Sequence, residues 1–255
     1  MGAPCGARYM QTKPEWNMEG YDYLWEGGPE MAQSGNIRFG TDAVLLGNFV
    51  YTGSARKGID LGCASGIIML LLLSRSEKIH MTGIELDEEA ALIARENMVH
   101  NGLESRSEVI CGDLREYKKL FRPGSFDVVV SNPPYFPISS GDVSPDQRRA
   151  SARGETTCTL ENLCECCGYL CRWGGSVNIV YKPERLVELF AEMTRHGIEP
   201  KRIRMVAHRE GAVPSLVLVE GRRGGNPGLR VDPQILLRTE NDEDTEEIKR
   251  IYHRK

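Results

Sequence analysis

Apolar and polar positions along this chain fall into blocks that switch between two periods. Short runs of mainly apolar residues, closed by glycine, asparagine or an acid, predict seven strands. They are GIDLG (58–62), IHMTGIEL (79–86), SEVICGD (107–113), FDVVVSN (126–132), GSVNIVY (175–181), KRIRMVAH (201–208) and PSLVLVEG (214–221). Between them, helix-period stretches cover 66–74, 87–101, 155–171 and 183–196. Strands alternating with helices predict an α/β, doubly wound sheet with mostly parallel strands. The last two strands are joined only by a short polar connection, so they predict an antiparallel hairpin at the end of that sheet. Residues 1–56 read as an N-terminal extension, 57–221 as the core, and 222–255 as a tail lying over it.

Composition narrows this picture only a little. The 255 residues are 40% hydrophobic and 27% charged, with a formal net charge of −4, which is ordinary for a globular chain. That charge excludes a protein that coats nucleic acid by bulk electrostatics, although not one with a local basic patch. The longest aliphatic run, IIMLLLL (67–73), is too short to span a bilayer, and the N-terminus shows no apolar signal core. A cytoplasmic protein with reduced thiols is therefore expected for the 8 cysteines.

The candidate chemistry sits at the strand ends. GIDLGCASG (58–66) is a strand running into Gly62 and Gly66 and then a helix, with Ala64 standing where a second glycine is usual. Such a turn lets backbone approach a ligand at a helix N-terminus, and it also serves as a plain strand-to-helix connection. Asp60 lies at the end of the first of these strands, Glu85 at the tip of the second and Asp113 after the third. An acid at the second tip suits ribose hydroxyls; the neighbouring Asp87 suits the start of a helix better. Three acids at three tips disfavour a dinucleotide pyrophosphate and suit a nucleoside with a cationic tail, such as S-adenosylmethionine. The fourth strand runs into Ser131-Asn132-Pro133-Pro134-Tyr135-Phe136, where two prolines force the chain out of the sheet. Read functionally, Asn132 and the Pro133 carbonyl are rigidly placed acceptors beside flat aromatic faces; read structurally, this is a stiff turn capping the core.

DLGCASG, GIE, GD and NPPY at these spacings resemble the class I S-adenosylmethionine-dependent methyltransferases that modify exocyclic or amide nitrogens. NIRFGTDAVLLGNF (36–49), ARGETTCTLENL (152–163), PSLVLVEG and GRRGGNPGLRV (221–231) are similar to one branch, the bacterial tRNA adenine-N6 methyltransferases. These act on the adenosine 3′ of the anticodon (position 37) of a valine tRNA. The resemblance implies a Rossmann-like class I methyltransferase with a seven-stranded sheet, and S-adenosyl-L-methionine as cofactor. It places Asp60, Gly62 and Gly66 at the methionine part, Glu85 at the ribose and Asp113 at the adenine. Phe39, Thr41 and Asp42 close the pocket; Thr41 reads equally as the N-cap of its helix. Asn132, Pro133, Pro134 and Tyr135 hold the target amine, with Asn132 also bordering the cofactor. The implied partner is a tRNA whose adenine is rotated out of its stack; no membrane and no metal are expected.

Segment 201–238 carries Lys201, Arg202, Arg204, Arg209, Arg222, Arg223, Arg230 and Arg238 against Glu210, Glu220 and Asp232, an excess of five positive charges. With Arg148, Arg149 and Arg153 after the NPPY loop it forms a candidate RNA grip, or simply solvated charge; Arg222, Arg223 and Arg230 are its named candidates within the segment. Cys158, Cys164, Cys166, Cys167 and Cys171 cluster, yet Leu160, Leu163, Cys164, Cys167, Leu170 and Cys171 follow a helical stripe, so core packing is favoured over a metal. Cys166 falls off that stripe as a candidate exposed thiol. Two rival functions stay open: a protein-glutamine N5 methyltransferase, which needs the same two acceptors, and a non-catalytic S-adenosylmethionine-binding module.

Overall fold

The computed structural model describes residues 20–32, 40–134 and 158–254. Strands β1 (Tyr21–Tyr23) and β2 (Glu30–Ala32) form a small antiparallel hairpin, followed by helix α1 (Thr41–Phe49). The main sheet is then built by β3 (Lys57–Leu61), β4 (His80–Glu85), β5 (Ser107–Cys111), β6 (Phe126–Ser131), β7 (Cys171–Tyr181), β8 (Ile198–Ala207) and β9 (Leu216–Arg223). Helices α2 (Ile67–Arg75), α3 (Glu88–His100), α4 (Tyr117–Leu120), α5 (Leu160–Leu170) and α6 (Leu186–Arg195) intervene. Short strands β10 (Arg230–Val231) and β11 (Ile235–Leu236) and helix α7 (Glu246–Ile251) complete the described chain.

The seven predicted strands are all present. Their order is β5-β4-β3-β6-β7-β9-β8, with β3 to β7 parallel and β9 running antiparallel between β7 and β8. The sheet is nine-stranded because β10 and β11 both pair, parallel, with β8. Two-residue strands carry no alternation and so leave no mark on the sequence pattern.

Both faces of the sheet are covered, which explains why the central strands read as continuous apolar runs. On one face α1, α2 and α3 bury Leu45, Leu46, Met69, Leu70, Leu72, Ala91 and Ala94. Helix α2 is buried along its whole apolar length, and Gly47 of α1 lets the two helices close up: a Cβ there would lie 2.6 Å from Leu71. On the other face, α5 and α6 pack over Ile59, Val129, Val177 and Ile179.

Helix α5 is capped by Thr159, whose hydroxyl accepts from the Asn162 amide while Asn162 accepts from the Thr159 amide. The cysteine stripe is core, as its spacing indicates. Cys166 is a correction: it is fully buried with Cys164 and Cys167, and burial pushes all three thiols up. A single stripe underestimates the buried face of a helix that packs against both a sheet and a second helix. A second correction concerns α1: Gly40 occupies its N-cap position, no side chain caps it, and Thr41 is its first helical residue. No described helix is long and apolar enough to cross a membrane.

Candidate functional site

The parallel strands bring their carboxyl ends to one edge, and short bonds lock the tips to one another. Gly62 N–H and Cys63 N–H both donate to the Ile84 carbonyl, at 2.9 and 3.1 Å. Gly112 N–H donates to the Glu85 carbonyl at 2.8 Å, and the Ser131 hydroxyl donates to the Leu61 carbonyl at 2.8 Å. The ends of β3, β4, β5 and β6 are thus one assembly, with Asp60, Glu85, Asp113 and Asn132 on it.

The glycine turn is held in a left-handed sequence of residues. Gly62 and Gly66 have φ of 76° and 84°, and Ala64 between them has φ of 45°, a conformation that costs an L-residue roughly 1–2 kcal/mol. Glu85 compensates: its carboxylate accepts from Ala64 N–H at 2.8 Å and from Asp87 N–H at 3.0 Å. The two glycines serve different ends. A Cβ on Gly62 meets nothing within 4 Å, so the turn opens to solvent there, whereas one on Gly66 lies 3.0 Å from Met98 and 3.3 Å from Ala94. Gly66 is needed by the packing of α3, and Gly62 borders the open side. Asp87 is the cap of α3, accepting from Ala90 N–H at 2.8 Å.

Asp60 is the electrostatic anomaly of this edge. It is 0% exposed, and neither carboxylate oxygen has a hydrogen-bond partner among the described residues. Burial, reinforced by the nearby Glu85 charge, pushes its pKa up to about 8. Buried carboxylates are normally paired, so this one, unpartnered among the described residues, fits a cationic ligand. Asp113 is the opposite case: Arg115 grips both its oxygens and holds its carboxyl below the usual range.

Asn132 is half-buried, Pro133 buried and Pro134 exposed at the exit of β6. Thr41 and Asp42 open α1, and Asp42 accepts from the Ala43 amide at 3.0 Å. Helix α1 has its far end beside the start of β8, where Arg202 donates to the Phe49 carbonyl at 2.7 Å. Its first residue, Thr41, shares a cavity with His208 beyond the end of β8, so Thr41 stands at the same edge as the strand tips. Phe39, Tyr135, Arg148, Arg149 and Arg153 lie outside the described residues.

The other basic candidates stand elsewhere. Arg222 and Arg223 end the antiparallel β9 and therefore lie toward the opposite edge; Arg222 donates to the Gly174 carbonyl and Arg223 to those of His196 and Gly197. Arg230 is on the outermost strand, paired with Asp232 at 2.8 Å. Among the described residues, Glu161, Glu192 and His196 bring ligand atoms within 4.8 Å of one another. The Arg195 guanidinium already stands 3.2 Å from Glu192 and 3.9 Å from Glu161 and supplies a cation there.

One residue escaped the sequence reading. Asn97, fully buried on α3, accepts from the Ala32 amide at 2.8 Å and donates to the Ser65 carbonyl at 2.9 Å. It ties the N-terminal hairpin to the glycine turn. Its signal was an amide among Ala90, Ile93, Ala94 and Met98 on an otherwise apolar helix face.

A methyltransferase small domain model matches residues 33–143. A tRNA1(Val) (adenine(37)-N6)-methyltransferase of Bacteroides thetaiotaomicron is 32% identical over 184 residues, 72% of this chain and 76% of the relative. The enzyme of the same name from Tolumonas auensis is 30% identical over 79% of this chain and 82% of its own length. Among solved structures, a predicted O-methyltransferase from Agrobacterium tumefaciens superposes with a TM-score of 0.68 at 18% identity, covering 84% of this chain and 96% of that one. A geranyl diphosphate C-methyltransferase from Streptomyces coelicolor, with S-adenosyl-L-homocysteine bound, gives 0.52 at 12% identity over 71% of this chain and 79% of that one. These two likenesses concern the fold. With strand tips, glycine turn and relatives matched over 76% and 82% of their own length in agreement, the chain belongs to the family of the tRNA1(Val) (adenine(37)-N6)-methyltransferases and is an N-methyltransferase that uses S-adenosyl-L-methionine.

Proposed function

We propose that this protein methylates the exocyclic N6 of adenine in tRNA, at the adenosine 3′ of the anticodon (position 37) of a valine tRNA. The observation that carries the reading is the Asn132-Pro133-Pro134 turn, fixed by the Ser131–Leu61 bond to the same tips that carry Asp60 and Glu85. The names of the relatives support the choice of RNA over a protein amide.

Asp60, Gly62 and Gly66 take the methionine part of the cofactor, whose ammonium group satisfies the buried Asp60 carboxylate. Glu85 takes the ribose while holding Ala64. Asp113 takes the adenine with the acceptor capacity that Arg115 leaves it. Phe39, Thr41 and Asp42 close the pocket, residues 1–56 acting as its cover; the Asn97 bridge between Ala32 and Ser65 supports that role. Bound S-adenosyl-L-methionine supplies a methyl group on a sulfonium sulfur that leaves as a neutral thioether.

The chain's task is to make a poor nucleophile attack. The adenine amine shares its lone pair with the ring. Asn132 Oδ1 and the Pro133 carbonyl accept its two N–H groups and favour a pyramidal nitrogen with the lone pair turned toward the methyl group. Tyr135 stacks on the base once it is out of the RNA stack. Orientation of this kind is worth roughly 7–11 kcal/mol when the geometry is right. The proton leaves the methylated nitrogen afterwards for solvent, with no dedicated base. Arg148, Arg149 and Arg153 supply phosphate contacts near the loop, and Arg222, Arg223 and Arg230 more distant ones.

The test is transfer from labelled S-adenosyl-L-methionine into unmodified tRNA, followed by nucleoside analysis. Label in N6-methyladenosine at position 37 of the valine tRNA is the expected result. Cofactor binding without label in RNA overturns the reading in favour of a protein amide.

A further inference from the structure

Beyond the carboxyl end of β8 lies a cavity of about 420 Å³ lined by Thr41, His208, Arg238, Asp244, Tyr252 and Arg254 over an aliphatic floor. Resting on the tRNA reading above, we propose that it receives a nucleotide flanking the target adenosine and grips the phosphodiester with Arg238 and Arg254. Arg254 lies outside the basic segment read from the sequence, and Arg238 is that segment's last residue.

Position is the first argument. Strand β8 runs parallel to β6 with β9 and β7 between them, so its carboxyl end opens on the edge where Asn132 leaves the sheet. Three strand spacings place it roughly 14 Å to the side, within reach of a chain whose target base has been drawn into the site. Thr41, the first residue of α1, borders the cavity.

Charge is the second. The segment around the cavity is acidic in sequence, and four of its six acids face a basic side chain. Glu247 is held by Arg204 and Glu246 by Lys249, while Asp242, largely exposed, faces His208 at 3.7 Å. Asp244 is 15% exposed and is shared by two guanidiniums, Arg238 at 3.0 Å and Arg254. Two arginines share one carboxylate, so positive charge is in local excess at Asp244, with Asp42 near Tyr252 and Asp242 near His208 elsewhere around the cavity. Each guanidinium has five N–H donors, more than Asp244 can accept, and the two side chains are 40% and 56% exposed. Planar donors held by a shared acid suit the bidentate geometry of a phosphate.

Size and the remaining polar groups agree. The volume falls in the range of ligand pockets, and the Tyr252 phenol, near the Thr41 side chain, adds a flat face with a polar edge.

The experiment compares wild type with Arg254→Gln and Arg238→Gln in methyl transfer to tRNA across a salt series. Arg254 is near the chain end and exposed, so its variant is the safer to fold. Each variant is expected to lower kcat/KM for tRNA about tenfold and to reduce the slope of log kcat/KM against log salt by about one. Cofactor affinity stays at the wild-type value, and Arg254→Lys restores much of the slope. Asp244→Asn, which frees both arginines, is expected to shift KM for tRNA downward; a merely structural role predicts no such gain. Wild-type methylation with unchanged kcat/KM and slope in both Gln variants overturns the cavity assignment alone. Absence of wild-type methylation of any tRNA overturns the reading on which it rests.

Discussion

The two halves of the sheet treat charge in opposite ways. In the half formed by β3, β4 and β5, the deepest carboxylate, Asp60, is buried with no hydrogen-bond partner among the described residues. In the half formed by β8 to β11, charges are consumed internally. Arg202 is bound to Glu220 at 2.9 Å and Asp232 at 3.7 Å, Arg204 to Glu247, and Arg222 to Glu220. Arg202 also lies 3.9 Å over the Phe49 ring and so fastens α1 to the edge of the sheet. An unpaired buried acid costs stability and is retained where a ligand completes it; a paired arginine holds elements together. One half leaves an acid open to a ligand, while the other mainly pairs its charges and keeps Arg238 and Arg254 partly exposed on a shared acid.

The largest expected effect lies where the two halves meet. Asn132→Ala should lower kcat for methyl transfer by at least about 100-fold, in line with the loss of a preorganised polar group at a reacting centre, while cofactor affinity stays within about twofold. Calorimetry and single-turnover kinetics check this, and loss of both properties together sinks the acceptor role. In the supporting half, Arg202→Ala should cost about 1.5–3 kcal/mol of stability, because it removes one of two guanidinium partners from partly buried Glu220 and Asp232 and releases Phe49. Cofactor affinity should not change. A variant that binds the cofactor poorly at full stability breaks the division between the halves.

Glu85→Ala tests the binding half directly. It removes the acceptor of two backbone N–H groups and the proposed ribose contact, so cofactor affinity should fall about 10- to 100-fold. Unchanged affinity removes Glu85 from the site. The pH prediction follows from Asp60, whose carboxyl rises from its ordinary 3.8 to about 8 on folding. The folded state keeps its proton to higher pH than the unfolded chain does. Stability without cofactor therefore falls as pH rises from about 4 to about 8 and levels off above that. The cofactor's positive charge favours ionised Asp60, so binding should release a proton near neutral pH and strengthen toward pH 8. Denaturant titrations at several pH values, and binding heats in buffers of different ionisation enthalpy, measure both. Asp60→Asn should flatten both slopes.

The same contrast explains what could be read from the sequence. The binding half is legible because its signals are local: glycine at positive φ, an acid closing each strand, and prolines ending β6. The supporting half is not, because its partners are far apart in the chain. Arg204 meets Glu247 across 43 residues, and Asn97 joins Ala32 and Ser65 from the apolar face of an otherwise charged helix. Cys166 departs from its expectation for a related reason: α5 packs against α6 as well as the sheet, and α6 follows only after a whole strand. Strands β10 and β11 exist only because β8 offers an edge to pair with, and no pattern in two residues announces that.

The smallest expected effect concerns Ala64, the one departure from a glycine-rich turn. Its φ of 45° is tolerated because Glu85 Oε2 accepts its N–H at 2.8 Å. Ala64→Gly relieves the left-handed cost in the folded state but widens the unfolded ensemble. These oppose each other at roughly 1–2 kcal/mol for the first and about 0.4–1 kcal/mol for the second. The net gain should be near 1 kcal/mol or less, seen as a small rise in Tm. The informative quantity is the cofactor affinity measured beside it. If Ala64 only completes the turn, Ala64→Gly leaves affinity unchanged in wild type and adds its small stability gain equally in the Glu85→Ala background. If the Glu85 bond is what holds the strained residue in place, the gain from glycine should be larger once Glu85 is gone. A double-mutant cycle reads that coupling, and a zero value would mean that the turn keeps its shape through β3 and α2 without the acid.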